Sequence, residues 1–266
     1  AHVFSLYGYE VILIDINSKI LEKAVNNIKT NMQRQFKKNI ITESEMLSAT
    51  NKINTSTDIR DLKKSFLIVE AIKEDVTLKS NLFNELDLLC DNETILSSNT
   101  SSISIDTLAE NTQRRDKVIG MHFMNPVPMM KLVEIVKGKN TSEETLDTIE
   151  QISKEIGKIP VKCNDSPGFV SNRILMPMIN EAAHCYYEKV AEAESIDQIM
   201  KLGMGHPIGP LKLADLIGID VCVFIMNILY KDFNDEKYKP CLILDKMLKE
   251  NKLGKKTGEG FYKYEV

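Results

Sequence analysis

The sequence predicts a doubly wound, parallel α/β sheet followed by an all-α domain, and three observations predict it. Short apolar runs alternate with long amphipathic stretches through residues 1–164, the mark of parallel strands joined by crossover helices. Those runs are mostly continuous, as expected of strands covered by helices on both faces. From Ser166 onward only helical periodicity remains, so the division falls into residues 1–164 and residues 165–266.

The elements follow in order. The opening "AHVFSLYG" reads as a helix that turns at Gly8 into the strand "EVILIDI". Further strands are "SFLIVEAI" from Ser65, "TILSSNT" from Thr94, "KVIGMHF" from Lys117, "KLVEIVKG" from Lys131 and "KIPVKC" from Lys158. Amphipathic helices run from Ser18 to about Lys38, from Asp75 to about Asp91 and from Ser142 to Ile156, with a short one near Glu43. In the second part helices are expected over Pro167 to Val190, Ser195 to Leu202, Pro210 to about Tyr230, and Pro240 to about Glu250. Pro177 should kink the first of these, since its ring removes a backbone donor and crowds the preceding turn.

Composition narrows the function classes. Of the 266 residues 43% are hydrophobic and 27% charged, and no apolar run approaches the roughly 20 residues of a membrane helix. A formal net charge of -4 argues against a nucleic-acid partner, which normally demands a basic excess. The five cysteines are widely spaced without a Cys-x-x-Cys pair, so neither a disulfide framework nor a metal cluster is indicated. A reducing, cytoplasmic location is the expectation.

Asp15 ends the first apolar strand. In a nucleotide-binding βαβ unit such an acid accepts hydrogen bonds from the adenosine ribose, roughly 20 residues after a Gly-x-Gly-x-x-Gly turn. Here the acid is present and the turn is not. The expectation is that the native protein carries a first strand and glycine loop ahead of Ala1, central in the sheet order 3-2-1-4-5-6. The other reading of Asp15 is a cap for the helix at Ser18.

"VIGMHFMNPVPMMKLVEIV" is the most informative stretch. His122 ends one apolar strand and Glu134 sits inside the next; a buried carboxylate needs a partner, and His122 is the candidate nearest in sequence. A histidine held by a carboxylate makes a general base of fixed tautomer, whereas a lone strand-end histidine is more often a structural residue. "SSNTSSISI" offers hydroxyls at another strand end or simply a helix cap before Ile105. "DSPGFVSNRIL" begins a helix at Ser166 and Pro167, placing Asn172 and Arg173 one turn inside it, toward solvent or toward a cleft.

As a set these motifs resemble the L-3-hydroxyacyl-CoA dehydrogenase family, in its short form acting on 3-hydroxybutyryl-CoA. The resemblance is carried by "VEAI" at Val69, "SNTSS" at Ser98, "GMHFMNPVPMMKLVE" at Gly120, "PGFVSNRI" at Pro167, "GHPIGPLKLADLIGID" at Gly205 and "GKKTGEGFYKY" at Gly254, spread over essentially the whole chain. It implies a Rossmann-like NAD domain, a helical domain through which subunits dimerise, an acyl-CoA substrate and fatty acid metabolism. It also implies His122 as general base, Glu134 orienting the imidazole and favouring imidazolium, Ser101 bonding the substrate oxygen, and Asn172 near the acyl and thioester carbonyls. Asp15, Glu74, Lys79, Ser101, Asn125 and Lys256 would contact NAD, and Lys38 the CoA phosphates; for Lys38 a solvated helix face is the other reading. Asp15 favours NAD over NADP, because a carboxylate repels a 2′-phosphate. Two other readings stand beside this one: a dehydrogenase of a free hydroxy acid such as L-gulonate, and a fold relative without catalysis.

Overall fold

A computed structural model describes residues 1–265, and the chain divides into two compact units, Ala1–Asp165 and the part from Ser166 onward. In the first unit α1 (His2–Leu6) leads into β1 (Val11–Ile14), α2 (Ser18–Lys37), α3 (Glu43–Asn51), β2 (Ile53–Ser56) and β3 (Leu67–Glu70). Then come α4 (Val76–Leu89), β4 (Ile95–Ser98), α5 (Ile105–Ala109), β5 (Val118–Phe123), β6 (Leu132–Lys137), α6 (Glu143–Glu155) and β7 (Ile159–Asn164).

Strands β3 to β7 form one sheet in that spatial order, while β1 and β2 pair with each other in a parallel ribbon. Laid on the order 3-2-1-4-5-6, β2 and β1 take the third and second places and β3, β4 and β5 the fourth to sixth. Among the described residues no strand joins the β1–β2 ribbon to the five-stranded sheet.

Two features depart from the sequence reading. β2, "INTS", carries one apolar residue in four positions and none of the four is buried, so it lacks the hydrophobic run by which strands are recognised. β5 and β6 run antiparallel, joined by residues 124–131, so the sheet is mixed.

Caps fix where the helices start. Asn17 caps α2 by accepting from the Lys19 amide, Asp75 caps α4 through the Leu78 amide, and Ser142 caps α6 through the Thr145 amide. Helix α6 buries Leu146, Ile149 and Ile152 at helical spacing against Ile119, Met121, Val133 and Ile135 of the sheet. Strand residues alternate between faces, so this packing sends Gly120, His122, Glu134 and Val136 to the opposite face. There Gly120 leaves space for Ile105 of α5 and for Val136.

The second unit holds α7 (Ser171–Tyr187), α8 (Ala193–Met204), α9 (Pro210–Ile217), α10 (Ile219–Phe233) and α11 (Leu242–Lys249) around a core that includes Met176, Ile179, Leu211, Cys222 and Met226. α7 begins at Ser171, later than Ser166, because Gly168 and Phe169 take positive φ and form a turn first. Asn172 and Arg173 therefore lie in its first turn, and Pro177 falls within the helix. The expected single helix from Pro210 is two helices meeting at 99°. Gly218 breaks it with φ 106°, a conformation an L side chain rarely adopts. Two isolated bridges, Gly254 with Glu259 and Glu259 with Lys263, fold the C-terminal residues back on themselves. Among the described residues no single helix is long and apolar enough to cross a membrane.

A Cβ on Gly120 would lie 2.7 Å from Val136 Cβ and 3.0 Å from Ile105 Cδ1. Gly120→Ala should therefore cost about 1–3 kcal/mol in urea denaturation, the usual penalty for overpacking. A variant as stable as the wild type would show that α5 is not held against this face.

Candidate active site

Register brings the site together along one edge of the sheet. β3, β4 and β5 are parallel neighbours in which Glu70 faces Ser98 and Ser98 faces Gly120, so their carboxyl ends form one rim. His122 lies two residues further along β5, or about 7 Å. The rim is where open α/β sheets bind ligands.

His122 pairs directly with Glu134 across the antiparallel β5–β6 ladder. Nδ1 of His122 lies 2.8 Å from Glu134 Oε2, with both side chains buried. An ionised carboxylate only accepts, so Nδ1 carries the shared proton and Nε2 is the basic nitrogen. The contact exists because strand alternation and register put both residues on one face; a one-residue slip would send one of them to the other.

The loop after β4 is held by an ionic relay. Glu70, the last residue of β3, accepts Lys79 Nζ at 2.7 and 2.9 Å, the Ile72 amide at 2.6 Å and the Ser98 hydroxyl at 2.6 Å. Lys79 Nζ also meets Glu74 Oε2 at 3.1 Å. The other oxygen of Glu74 accepts from the Thr100 hydroxyl, the Ser101 amide, and the amide and hydroxyl of Ser102, at 2.5 to 3.1 Å. Burial alone would raise the Glu74 carboxyl. The hydrogen bonds from Thr100 and Ser102 and the Lys79 charge outweigh it and hold the carboxyl below its ordinary value.

Two further contacts shape the rim. Asn99 Oδ1 accepts the Phe123 amide at 2.9 Å, tying the β4 loop to the end of β5. Lys158 donates to the carbonyls of Val127 and Met130, which shapes the loop carrying the exposed Asn125; burial lowers the pKa of its ammonium.

The remaining expected residues belong to other elements. Asp15 follows β1, half-buried, and its carboxylate accepts the Asn17 amide at 2.9 Å, while Asn17 is the cap of α2. Asp15 is thus not the helix cap, and a carboxylate with about four acceptor positions retains room for a ribose diol. That acceptor chemistry fits the adenosine end of a dinucleotide. Lys38 sits exposed at the far end of the 20-residue α2, roughly 30 Å from Asp15 by helical rise. In the second unit Asn172 is buried in α7, and Lys256 is half-exposed with its ammonium on Asp220 Oδ1 at 2.5 Å.

Sequence reading passed over Glu70 and the anchoring role of Asn99. A signal for Glu70 was available: Lys79, Phe83 and Leu86 share the buried stripe of α4, and a lysine on such a stripe requires a buried anion.

A dinucleotide-type sheet with a carboxylate-held histidine on its ligand rim defines a nicotinamide-dependent dehydrogenase. The comparisons make this specific. Residues 1–166 match the 3-hydroxyacyl-CoA dehydrogenase NAD-binding domain and residues 168–264 the C-terminal domain of the same enzymes. The chain belongs to the 3-hydroxyacyl-CoA dehydrogenase family, is an oxidoreductase, and uses NAD. A 3-hydroxybutyryl-CoA dehydrogenase of Clostridioides difficile is 47% identical over 266 residues, covering 98% of this chain and 93% of its own. The human mitochondrial hydroxyacyl-coenzyme A dehydrogenase is 42% identical over 99% of this chain and 86% of its own. The solved (S)-3-hydroxybutyryl-CoA dehydrogenase of Ralstonia eutropha superposes with a TM-score of 0.95 at 43% identity, covering 100% of this chain and 94% of that one.

Because its carboxyl is held low, Glu74 contributes stability that is present above the ordinary carboxylate range and lost as pH falls through its lowered value. Glu74→Gln should therefore be less stable than the wild type near neutral pH, and the difference in Tm should shrink as pH falls below the ordinary carboxylate range. A difference independent of pH would contradict the relay as described.

Proposed function

We propose that this protein interconverts (S)-3-hydroxybutyryl-CoA and acetoacetyl-CoA, serving fatty acid or butyrate metabolism. The observation that carries the reading is the buried His122–Glu134 pair at 2.8 Å on the sheet's ligand rim. The names of the C. difficile and R. eutropha relatives support the substrate class.

Bound NAD supplies the hydride acceptor. His122 Nε2 takes the proton of the substrate 3-hydroxyl as the hydride leaves the same carbon. Nδ1 keeps its proton on Glu134, so the imidazolium that forms faces a fixed negative charge and needs no reorganisation. In the reverse direction the imidazolium returns that proton to the developing alkoxide. Ser101 bonds the reacting oxygen, and Asn172 contacts substrate near the thioester carbonyl. Asp15 holds the adenosine ribose, with Glu74, Lys79, Ser101, Asn125 and Lys256 completing the cofactor contacts and Lys38 meeting the CoA phosphates. The protein works as a homodimer through its helical part, in the cytoplasm, without nucleic acid or membrane. Exposed Ile174, Val190, Ile199 and Leu202 in the second unit are compatible with a subunit interface.

The test is NADH consumption with acetoacetyl-CoA, with L-gulonate and NAD as the competing free-acid reaction. Turnover of the acyl-CoA is expected. Activity on the free acid alone, or on neither by folded protein, would overturn the reading. His122→Gln should lower kcat roughly 10²- to 10⁴-fold while KM stays within about tenfold, as for loss of a general acid–base. Equal losses in kcat and in substrate affinity would contradict its role.

A further inference from the structure

Glu70 has no part in the chemistry above, yet it is among the most completely enclosed charged groups of the first unit. Its carboxylate has no measurable side-chain exposure, and that of Lys79 is 1%. Ionised groups are not enclosed in this way without compensation. Glu70 accepts four donor contacts from three sources, so both of its oxygens are occupied: Oε1 by Lys79 and the Ile72 amide, Oε2 by Lys79 and the Ser98 hydroxyl.

The geometry sets a direction of dependence. Glu70 and Ser98 end adjacent strands in register, and the Ser98 hydroxyl in turn accepts the Thr100 amide at 3.1 Å. Lys79, fixed by Glu70, is the cation that meets Glu74 at 3.1 Å. Glu74 is only a quarter exposed and gathers four donors of residues 100–102 on a single oxygen. Glu70 therefore reaches the Ser101 loop by two routes, through Ser98 at its start and through Lys79 and Glu74 at its middle. Removing Glu70's charge leaves Lys79 with Glu74 as its one anionic partner among the described residues and frees the ammonium to shift.

We propose that Glu70 is a positioning residue of the dehydrogenase: through Lys79, Glu74 and Ser98 it fixes the backbone of Ser101 and Ser102 in the reactive arrangement. The proposal rests on the reading of Ser101 as a substrate contact. Glu70→Gln keeps the shape and places an amide donor against the Lys79 ammonium, so the relay opens at its first link while the core stays filled.

Two measurements on the intact protein separate this from a merely structural role. Hydrogen exchange of the Ser101 and Ser102 amides should quicken at least about tenfold in E70Q, while β5 and β6 amides keep their protection. This readout does not depend on any substrate assignment. In kinetics, E70Q should lower kcat about tenfold or more, as expected when a reacting contact is misplaced by a fraction of an ångström. In a Ser101→Ala background the same change should lower kcat less than about threefold, because a shared contact makes the two losses non-additive. Glu70→Asp, which keeps the charge, should recover part of the loss and replaces E70Q if that variant does not fold. Unchanged loop exchange would overturn the relay, and equal kcat losses in both backgrounds would overturn its action through Ser101. Quickened exchange in a protein without acyl-CoA turnover would fault the functional reading and leave the relay standing.

Discussion

A carboxylate enclosed within a sheet has to be paired, and the pairing of Glu134 with His122 is the constraint around which the first unit is organised. It demands that β5 and β6 run antiparallel, in the register that sets the two residues opposite each other, with α6 packed on the other face. The apolar sequence of both strands supplies the hydrophobic energy that makes the register hard to shift, because a slip by one residue would expose Met121 and Ile135. The small residue at Gly120 lets α5 approach the same face. The proton-handling pair is thus a by-product of strand order, and the same order places it on the rim where a dinucleotide sheet takes its ligand.

A second buried ionic system lies a short way along that rim. Glu70, Lys79 and Glu74 carry one net negative charge between them, and every oxygen described above meets a donor. Buried ion pairs rarely add net stability over an apolar replacement, but breaking one leaves an uncompensated charge and is costly. Such an arrangement is therefore better suited to fixing a conformation than to strengthening a fold. The conformation it fixes is that of residues 98–102, a loop that Asn99 also ties to the end of β5.

Much of this was legible in the sequence. Apolar runs gave away β1 and β3 to β7, most clearly β5 and β6, which are buried over nearly their whole length. The need of Glu134 for a partner followed from its place inside "KLVEIV", and His122 is that partner. What was not legible has physical reasons. β2 carries one apolar residue in four positions and so shows no apolar run, and the antiparallel turn between β5 and β6 leaves no mark in hydrophobic periodicity. The helix from Pro210 splits at Gly218 although its apolar pattern continues across the break. Helical periodicity could not show that the buried stripe of α4 includes a charged residue, because Lys79 is apolar by position and ionic by partner.

The most direct measurement is the tautomer of His122, read by ¹⁵N NMR on histidine-labelled protein, in which only four histidines contribute signals. For the neutral imidazole the His122–Glu134 geometry predicts a proton on Nδ1, hydrogen-bonded to the carboxylate, and a basic Nε2. In Glu134→Gln the fixed tautomer should give way to a mixture, since the amide can present either its oxygen or its NH₂ group. A neutral wild-type imidazole with its proton on Nε2 would contradict the account, because His122 would then have no basic nitrogen to offer the substrate hydroxyl.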